Sequence, residues 1–154
     1  MGWASYRCGT LSIPVPLFVT AVNAPAGGPR PGRTPMRYML LIHGDESRSN
    51  PDPTPEEMAA SMQPWFDFGQ RYASVIRGGD PLHPVATATS VRVRDGERLV
   101  TDGPFAETRE QLGGYYLLEC DTHEEAVEVA AACPGALYGT VELRPIMDIP
   151  EIPA

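Results

Sequence analysis

The chain has 154 residues, 42% of them hydrophobic and 21% charged, so it is long enough for one globular domain and too short for two of ordinary size. All 12 basic residues are arginines, which excludes any mechanism that needs a lysine as Schiff base or general base. The net charge of −8 is unevenly distributed: residues 1–35 contain three arginines and no acid, and the rest of the chain contains nine arginines and twenty acids. So acidic a domain repels a phosphate backbone, and no direct nucleic-acid binding is expected.

The first 35 residues are predicted to contribute nothing to the core. Residues 11–22 are apolar, but a dozen residues with two prolines make too short and too broken a segment for a transmembrane helix, so no membrane contact is expected. Residues 24–35 are rich in Pro, Gly and Arg, a composition typical of disorder. Two interpretations of these 35 residues stay open: they are a signal peptide, or they are a non-native or loose extension ahead of Met36. The second is favoured, together with a cytoplasmic location.

The folded part is predicted to begin with a strand at residues 37–43, a short apolar run that ends at a Gly-Asp pair. A polar loop follows over residues 45–53. Thr54, Pro55 and Glu57 then supply an N-cap side chain, a proline at the first helical position and a glutamate at the third. This combination predicts the start of a helix.

The first helix carries an apolar stripe at steps of three and four residues, which predicts one buried face. Pro64 interrupts the hydrogen-bond ladder, so we expect a kink or a division into two helices there. Gly78 and Gly79 are expected to end the helix. The stripe consists of Met58, Met62, Trp65, Gly69, Tyr72 and Ile76.

A β-hairpin is predicted next. Residues 89–94 alternate apolar and polar side chains, and residues 97–101 form the second strand. Asp95 and Gly96 between them are the favoured pair for a two-residue hairpin turn.

The last third of the chain repeats a strand, helix, strand pattern. Residues 114–120 and 140–146 have strand character, and Thr122 with Glu125 forms a second capping box between them. The second helix is expected to end at Pro134 and Gly135. Its predicted buried face consists of Ala126, Val129, Ala130 and Cys133.

The order strand, helix, hairpin, strand, helix, strand predicts an α+β fold, a ferredoxin-like sandwich with an extra β-hairpin. Both helices then cover one face of the sheet and leave the other open. A second copy of the chain is the expected cover, so we predict a homodimer with sheets face to face.

The three cysteines, Cys8, Cys120 and Cys133, have no CxxC spacing and cannot all be paired within one chain. They are expected to be reduced, and the two later ones to be inert core residues. No cofactor fingerprint, P-loop or metal-ligand spacing is present, so neither a cofactor nor a metal is expected. A metal site formed by His43, His83 and carboxylates stays open as an alternative that no ligand spacing favours.

The segment VTDGPFAETREQLGGYY at residues 100–116 resembles the YCII-related family, in particular the branch named for its DGPF motif. The similarity also includes RYMLLIHGDE, PEEM, GGDPLHP, VRVRDG, DTHEEAVEVAAACP and VELRPI, and it covers essentially the whole chain after Met36. It predicts a domain at residues 36–148, followed by a tail at 149–154. One departure is His43, where that branch is expected to have a tyrosine.

The resemblance implies a dimeric α-β barrel of ferredoxin-like units with a small cleft and a catalytic histidine and aspartate pair. The family's role is mostly unassigned. Its relatives include a dehydrochlorinase of a chlorinated aromatic compound and domains joined to extracytoplasmic-function sigma factors.

The residues themselves also favour a histidine and aspartate site. Gly103 and Pro104 stiffen the turn after Asp102, and His83 lies in a similarly stiff loop before the hairpin. If the two side chains meet, Asp102 can orient His83 as a general acid or base. Two alternatives stay open, an Asx hydrogen bond that uses Asp102 to cap its own turn and a surface or interface role for His83.

Four more residues are expected to bind substrate in the cleft: His43, Phe105, Glu107 and Arg109. A half-buried strand position remains the alternative for His43, a solvated loop for Glu107 and Arg109, and a hydrophobic plug beneath the turn for Phe105. The sequence thus predicts a small-molecule enzyme, a cofactor-independent lyase or isomerase. The alternatives are a non-catalytic ligand-sensing or regulatory interaction module, for which the resemblance implies a link to extracytoplasmic-function sigma factors, and a dimeric scaffold with a vestigial cleft.

Overall fold

The computed structural model describes residues 35–149, which form six strands and two helices. The predictions for residues 1–34 and 150–154 lie outside this range. The strands are β1 Met36–Gly44, β2 Ile76–Pro81, β3 Thr89–Arg94, β4 Glu97–Asp102, β5 Gln111–Cys120 and β6 Thr140–Pro145. The helices are α1 Pro55–Arg71 and α2 His123–Ala132, and short 3-10 turns occupy Glu46–Arg48, Val85–Thr87 and Pro134–Leu137.

Four strands form one antiparallel sheet in the order β2-β5-β1-β6, while β3 and β4 form a separate two-stranded sheet. The chain passes from β1 through α1 to β2, and from β5 through α2 to β6, so each helix connects two strands that are not neighbours. This confirms the α+β class, and the strand order is that of a split βαβ arrangement. The dimeric barrel involves a second chain and stays a prediction.

The core lies between the sheet and the two helices. Side chains alternate across a strand, so Tyr38 and Leu40 of β1 and Leu118 of β5 all face the helices and are at most 1% exposed. On α1 the predicted stripe is half-buried, and the one fully buried member of the helix is Phe68, which the stripe did not include. The core consists of Tyr38, Leu40, Phe68, Ile76, Leu118, Cys120, Ala126, Val129 and Cys133.

Both predicted helix starts are confirmed. At α1 the Glu57 amide donates to Thr54 Oγ1 at 3.2 Å, and the Thr54 amide donates to Glu57 Oε2 at 2.9 Å. At α2 the Glu125 amide donates to Thr122 Oγ1 at 3.1 Å. There the glutamate carboxylate accepts from the amide of Asp121, one residue earlier than in a standard capping box.

The predicted end of the first helix is wrong. The helix ends at Arg71 with Tyr72 as its C-cap, and the segment Ile76–Pro81, including both glycines, is strand β2 at the sheet edge. Ile76 is buried as predicted, but it belongs to strand β2 and not to the first helix. The predicted division at Pro64 is also absent, since α1 is one helix of 17 residues. Pro64 and Ala60 are both exposed, so water can bind the carbonyl that the proline leaves unpaired.

The hairpin is confirmed, with Asp95 at φ 53° and Gly96 at φ 81°, the positive values of a type I′ turn. Val91 and Val100 pair across the two strands and are 57% and 53% exposed, so the hairpin has no core of its own in the described part of the chain. A two-stranded sheet is marginally stable by itself. The hairpin is therefore the part of the fold that most needs a further contact.

Neither of the two described helices is long and apolar enough to cross a membrane.

Candidate ligand cavity

A cavity of about 520 Å³ lies beside the end of β1, where the sheet meets α1 and the segment after α2. One wall is apolar and aromatic, with side chains from two strands, one helix and one loop. This size and lining are typical of small-molecule sites. The residues of the wall are Ile42, Met62, Trp65, Tyr116 and Tyr138.

The aromatic wall is anchored in the core. The ring of Tyr116 packs against Phe68 with 5.4 Å between centroids, and Phe68 packs against Tyr72 at 5.1 Å. Burial raises the pKa of Tyr116 to about 12, so this residue presents a neutral phenol at physiological pH. Burial also raises the pKa of Tyr138, against a smaller opposing effect of its hydrogen bond with Trp65.

The opposite rim is polar and begins with Asp45, directly after β1. Its carboxylate accepts hydrogen bonds from the Ser47 amide at 3.0 Å and the Ser47 hydroxyl at 2.5 Å. The bond from the hydroxyl is the main reason why the pKa of Asp45 is lowered, with smaller contributions from Arg109 and Arg48. Asp45 is therefore a fixed negative charge at the rim.

Glu46 joins three segments of the rim. Its amide donates to Gln111 Oε1 at 3.2 Å, and its carboxylate accepts from the amide of Val85 at 2.9 Å and 3.2 Å. These bonds hold the loop after β1 against β5 and against the loop that leads to the hairpin. The rim is thereby positioned before any ligand binds.

A third carboxylate belongs to β2. Asp80 and Tyr115 are paired across β2 and β5, both residues line the cavity, and the tyrosine hydroxyl donates to Asp80 Oδ2 at 3.1 Å. This hydrogen bond is the largest cause of the raised pKa of Tyr115. Deprotonation would remove the proton that the tyrosine donates and place a phenolate beside the negative carboxylate.

The two predicted catalytic residues lie outside the cavity lining. His83 and Asp102 are both exposed, and within the described chain no hydrogen bond or ion pair joins them. Asp102 ends β4 opposite Thr89, and the neighbouring Gly103 amide donates to the carbonyl of Ala88 at 2.7 Å. No backbone amide of residues 35–149 donates to the Asp102 carboxylate, so the Asx-turn alternative is not observed. The catalytic pair remains a prediction.

Of the four predicted substrate-binding residues, the structure brings two together. His43 and Arg109 line an open depression beside the cavity, and His43 also lines the cavity itself. The His43 Nε2 atom is buried without a hydrogen bond and lies 3.8 Å from Glu142 Oε2. That carboxylate also forms an ion pair with Arg144 at 3.1 Å.

The other two predicted substrate-binding residues line neither concavity. Glu107 is exposed in the loop before β5. Phe105 is 80% exposed, so its suggested role as a plug beneath the turn is wrong. The segment that contains both residues has no regular secondary structure, and among residues 35–149 nothing buries the ring of Phe105.

Sequence reasoning missed most of the cavity. Trp65 and Met62 were assigned to the core, and Tyr116 to a strand, without any indication that they share a hollow. The one available signal was the polar Asp45 and Glu46 pair directly after a buried strand, because such positions lie at the edge of a sheet.

The two described cysteines contribute to the core and have no role in the cavity. Cys120 and Cys133 are free and 1% exposed, and burial raises the pKa of both thiols, to about 11 for Cys120. Among residues 35–149 no cluster of three histidine, cysteine or acidic side chains has the arrangement of a metal site.

A family profile described as the YCII-related domain matches residues 36–150, three quarters of the chain. The chain belongs to the YCII-related domain family. An uncharacterised protein of Rhizobium meliloti (strain 1021) is 33% identical over 119 residues, which cover 72% of this chain and 92% of that protein. The matched region of the YCII-related domain includes every element of the described fold and every residue that lines the cavity.

Proposed function

We propose that this YCII-related domain binds a small organic molecule in the cavity between the aromatic wall and the polar rim. The observation that carries the proposal is the cavity itself, about 520 Å³ with an apolar wall and a few polar groups at one side. Ligand pockets of soluble proteins have this size and composition. The rim is held by the bonds of Glu46, so little conformational freedom remains to be lost on binding.

Thermal unfolding in the presence of a metabolite library tests this proposal, because a ligand that prefers the native state raises the melting temperature. The matched variants are Met62→Trp, which fills the cavity, and Met58→Trp, which makes the same change one helical turn earlier, outside the lining. Compounds that stabilise the wild type should lose their effect in Met62→Trp and keep it in Met58→Trp. A library without any stabilising compound, or hits that survive Met62→Trp, would contradict the proposal.

A lyase or isomerase with His83 and Asp102 as the proton-transfer pair is the second candidate. It is supported by the position of His83 beside the cavity, two residues after Pro81, which lines it. The amide of Leu82 donates to the carbonyl of Gly113, another lining residue, at 2.8 Å. The pair would have to be completed by ligand binding or by a second chain.

The test of this second candidate is exchange of a ligand proton for deuterium, followed by NMR with a compound from the screen. His83→Ala and Asp102→Asn should each abolish the exchange while the ligand-induced rise in melting temperature persists. Exchange at the wild-type rate in both variants would exclude the pair.

We also propose that the chain forms a homodimer through the open face of its sheet. Met39, Leu41 and Leu117 alternate with the core residues and therefore face away from the helices. An ion pair between Arg77 and Glu119 at 3.5 Å borders this apolar strip. The DGPF segment at residues 102–105 supports placing the chain in that branch of the family.

A further inference from the structure

The charged residues of the cavity lining are mostly acidic. Asp45, Glu46 and Asp80 are acidic, and Arg48 is the one arginine among the described lining residues. The Asp80 carboxylate accepts from Tyr115, which alternates with Tyr116 along β5, so the carboxylates on the side of the aromatic wall are those of Asp45 and Glu46. A site for an anionic ligand normally concentrates arginine, lysine or backbone amides instead. The lining therefore disfavours phosphates and carboxylates as ligands.

None of these carboxylates forms an ion pair within residues 35–149. Their hydrogen bonds come from neutral donors: Ser47 for Asp45, the Val85 amide for Glu46 and the Tyr115 hydroxyl for Asp80. A carboxylate can accept about four hydrogen bonds. The rim thus retains free acceptor positions, and Arg109 and Arg48 act on Asp45 only from beyond ion-pair distance, where they lower its pKa.

The aromatic wall suits the same kind of ligand. Trp65, Tyr116 and Tyr138 line the cavity, and the faces of such rings attract cations, tryptophan most strongly. The neutral state of Tyr116 preserves this property at physiological pH. The chain as a whole carries a charge of −8, which favours the approach of cations.

From the carboxylates of the rim, the rings of the wall and the size of the cavity, we infer that the site selects molecules that join an apolar or aromatic body to a protonated nitrogen. The inference rests on the proposed function, since it names the ligand class of the same cavity. The ammonium group would lie toward Asp45 and Glu46, and the apolar body toward Trp65 and Tyr116.

Three probes of nearly equal size test the charge preference: 2-phenylethylammonium, 2-phenylethanol and 3-phenylpropanoate. Isothermal titration calorimetry near pH 7 should give the ammonium compound roughly tenfold or greater affinity over the alcohol, with the carboxylate weakest. The preference should decrease as salt is added, because part of it is electrostatic.

Two variants remove a rim charge and keep the hydrogen bonds. In Glu46→Gln and Asp45→Asn an amide oxygen still accepts from Val85 or Ser47, so the rim should keep its shape. Each is expected to weaken binding of the ammonium probe several-fold and to leave binding of the alcohol unchanged. Glu128→Gln is the control, since it removes the same charge from an exposed position on α2, which contributes nothing to the lining.

The outcomes separate this inference from the proposed function. Equal or tighter binding of the alcohol or the carboxylate overturns the inference, as does an equal effect of Glu128→Gln. If none of the three probes binds, while library compounds bind to the wild type and not to Met62→Trp, the inference is wrong and the cavity remains a ligand site. If no compound of any class binds, both are wrong.

Discussion

At the scale of single residues, burial keeps the ionisable groups around the core neutral. The pKa of Tyr116 is raised to about 12 and that of Cys120 to about 11, in each case first by desolvation. A group whose pKa is higher in the folded state stabilises the fold at low pH and loses that effect as the pH rises. Because the pKa of both groups is raised, we expect the free energy of unfolding to decrease in alkaline solution.

Tyr116→Phe should make the alkaline loss of stability less steep. The unfolded tyrosine releases its proton near its ordinary pKa of 10.0, whereas the folded one releases it near about 12. As the pH rises from about 10 to about 12, the free energy of unfolding of the wild type should therefore decrease. The variant should lack the part of this decrease that the tyrosine hydroxyl causes. Urea unfolding at about pH 8 and about pH 11 measures the difference. Equal changes in the two proteins would show that the hydroxyl is hydrated in the folded state.

The DGPF segment shows what sequence reasoning can and cannot supply for single residues. Gly103 adopts φ 88°, the positive value that its position in the predicted turn requires. The prediction that Phe105 is buried beneath the turn was wrong, because an exposed aromatic ring and a buried one have the same local sequence signals. Whether a side chain is covered depends on segments far away in the chain or in another chain.

At the scale of elements, the capping box of α1 offers a direct test of a sequence signal. Thr54→Ala removes the acceptor for the Glu57 amide, and it should reduce the free energy of unfolding by about 1 kcal/mol. Thr54→Ser keeps the hydroxyl and should recover most of that loss. Chemical denaturation of both variants measures the effect. An alanine variant as stable as the wild type would mean that water replaces the cap without cost.

The hairpin and the core should respond differently to the same substitution. Val91→Thr changes a side chain that is 57% exposed, and it should alter the free energy of unfolding by less than about 0.5 kcal/mol in the monomer. Val129→Thr places a hydroxyl at a position that is 2% exposed, where an unsatisfied polar group costs about 1–3 kcal/mol. Denaturant titrations of both variants check this. A large loss at Val91 would reveal a contact that covers the hairpin.

Most of the fold was predictable from local signals, and strand β2 shows where they fail. The N-terminal caps of both helices, the hairpin turn and the alternating strands all appear where the sequence predicts them. Strand β2 contains Gly78, Gly79 and Pro81, residue types that normally indicate turns, and it pairs with β5 alone. Only the tertiary pairing with β5 makes this segment a strand, and that pairing has no local signature.

At the scale of the whole molecule, the homodimer can be tested at one position of the sheet. Leu41→Arg places a charge in the apolar strip of the open face and should convert a dimer into a monomer. Val127→Arg, at a 44% exposed position on the outer side of α2, should leave the assembly unchanged. Analytical ultracentrifugation distinguishes the two masses. A wild-type monomer, or a Leu41→Arg dimer, would contradict the proposed interface.

The cavity is a property of the whole molecule, and for this reason the sequence did not predict it. Its aromatic wall combines Trp65 with Tyr116 and Tyr138, which are far apart in the chain. Each has an ordinary local explanation as a core or loop residue. The proposed pair of His83 and Asp102 came from loop stiffness and family resemblance, neither of which reports the distance between side chains.

The bond from the Val85 amide to Glu46 provides a built-in reporter of cavity occupancy. A ligand cation that binds at the free acceptor positions of this carboxylate changes the charge that the Val85 amide faces, while the hydrogen bond remains. The amide resonance of Val85 should then shift, while the amide resonances of the core residues in β1 and β5 change little. Since Val85 begins the turn before β3, this bond also connects the cavity rim to the hairpin, which lies outside the site.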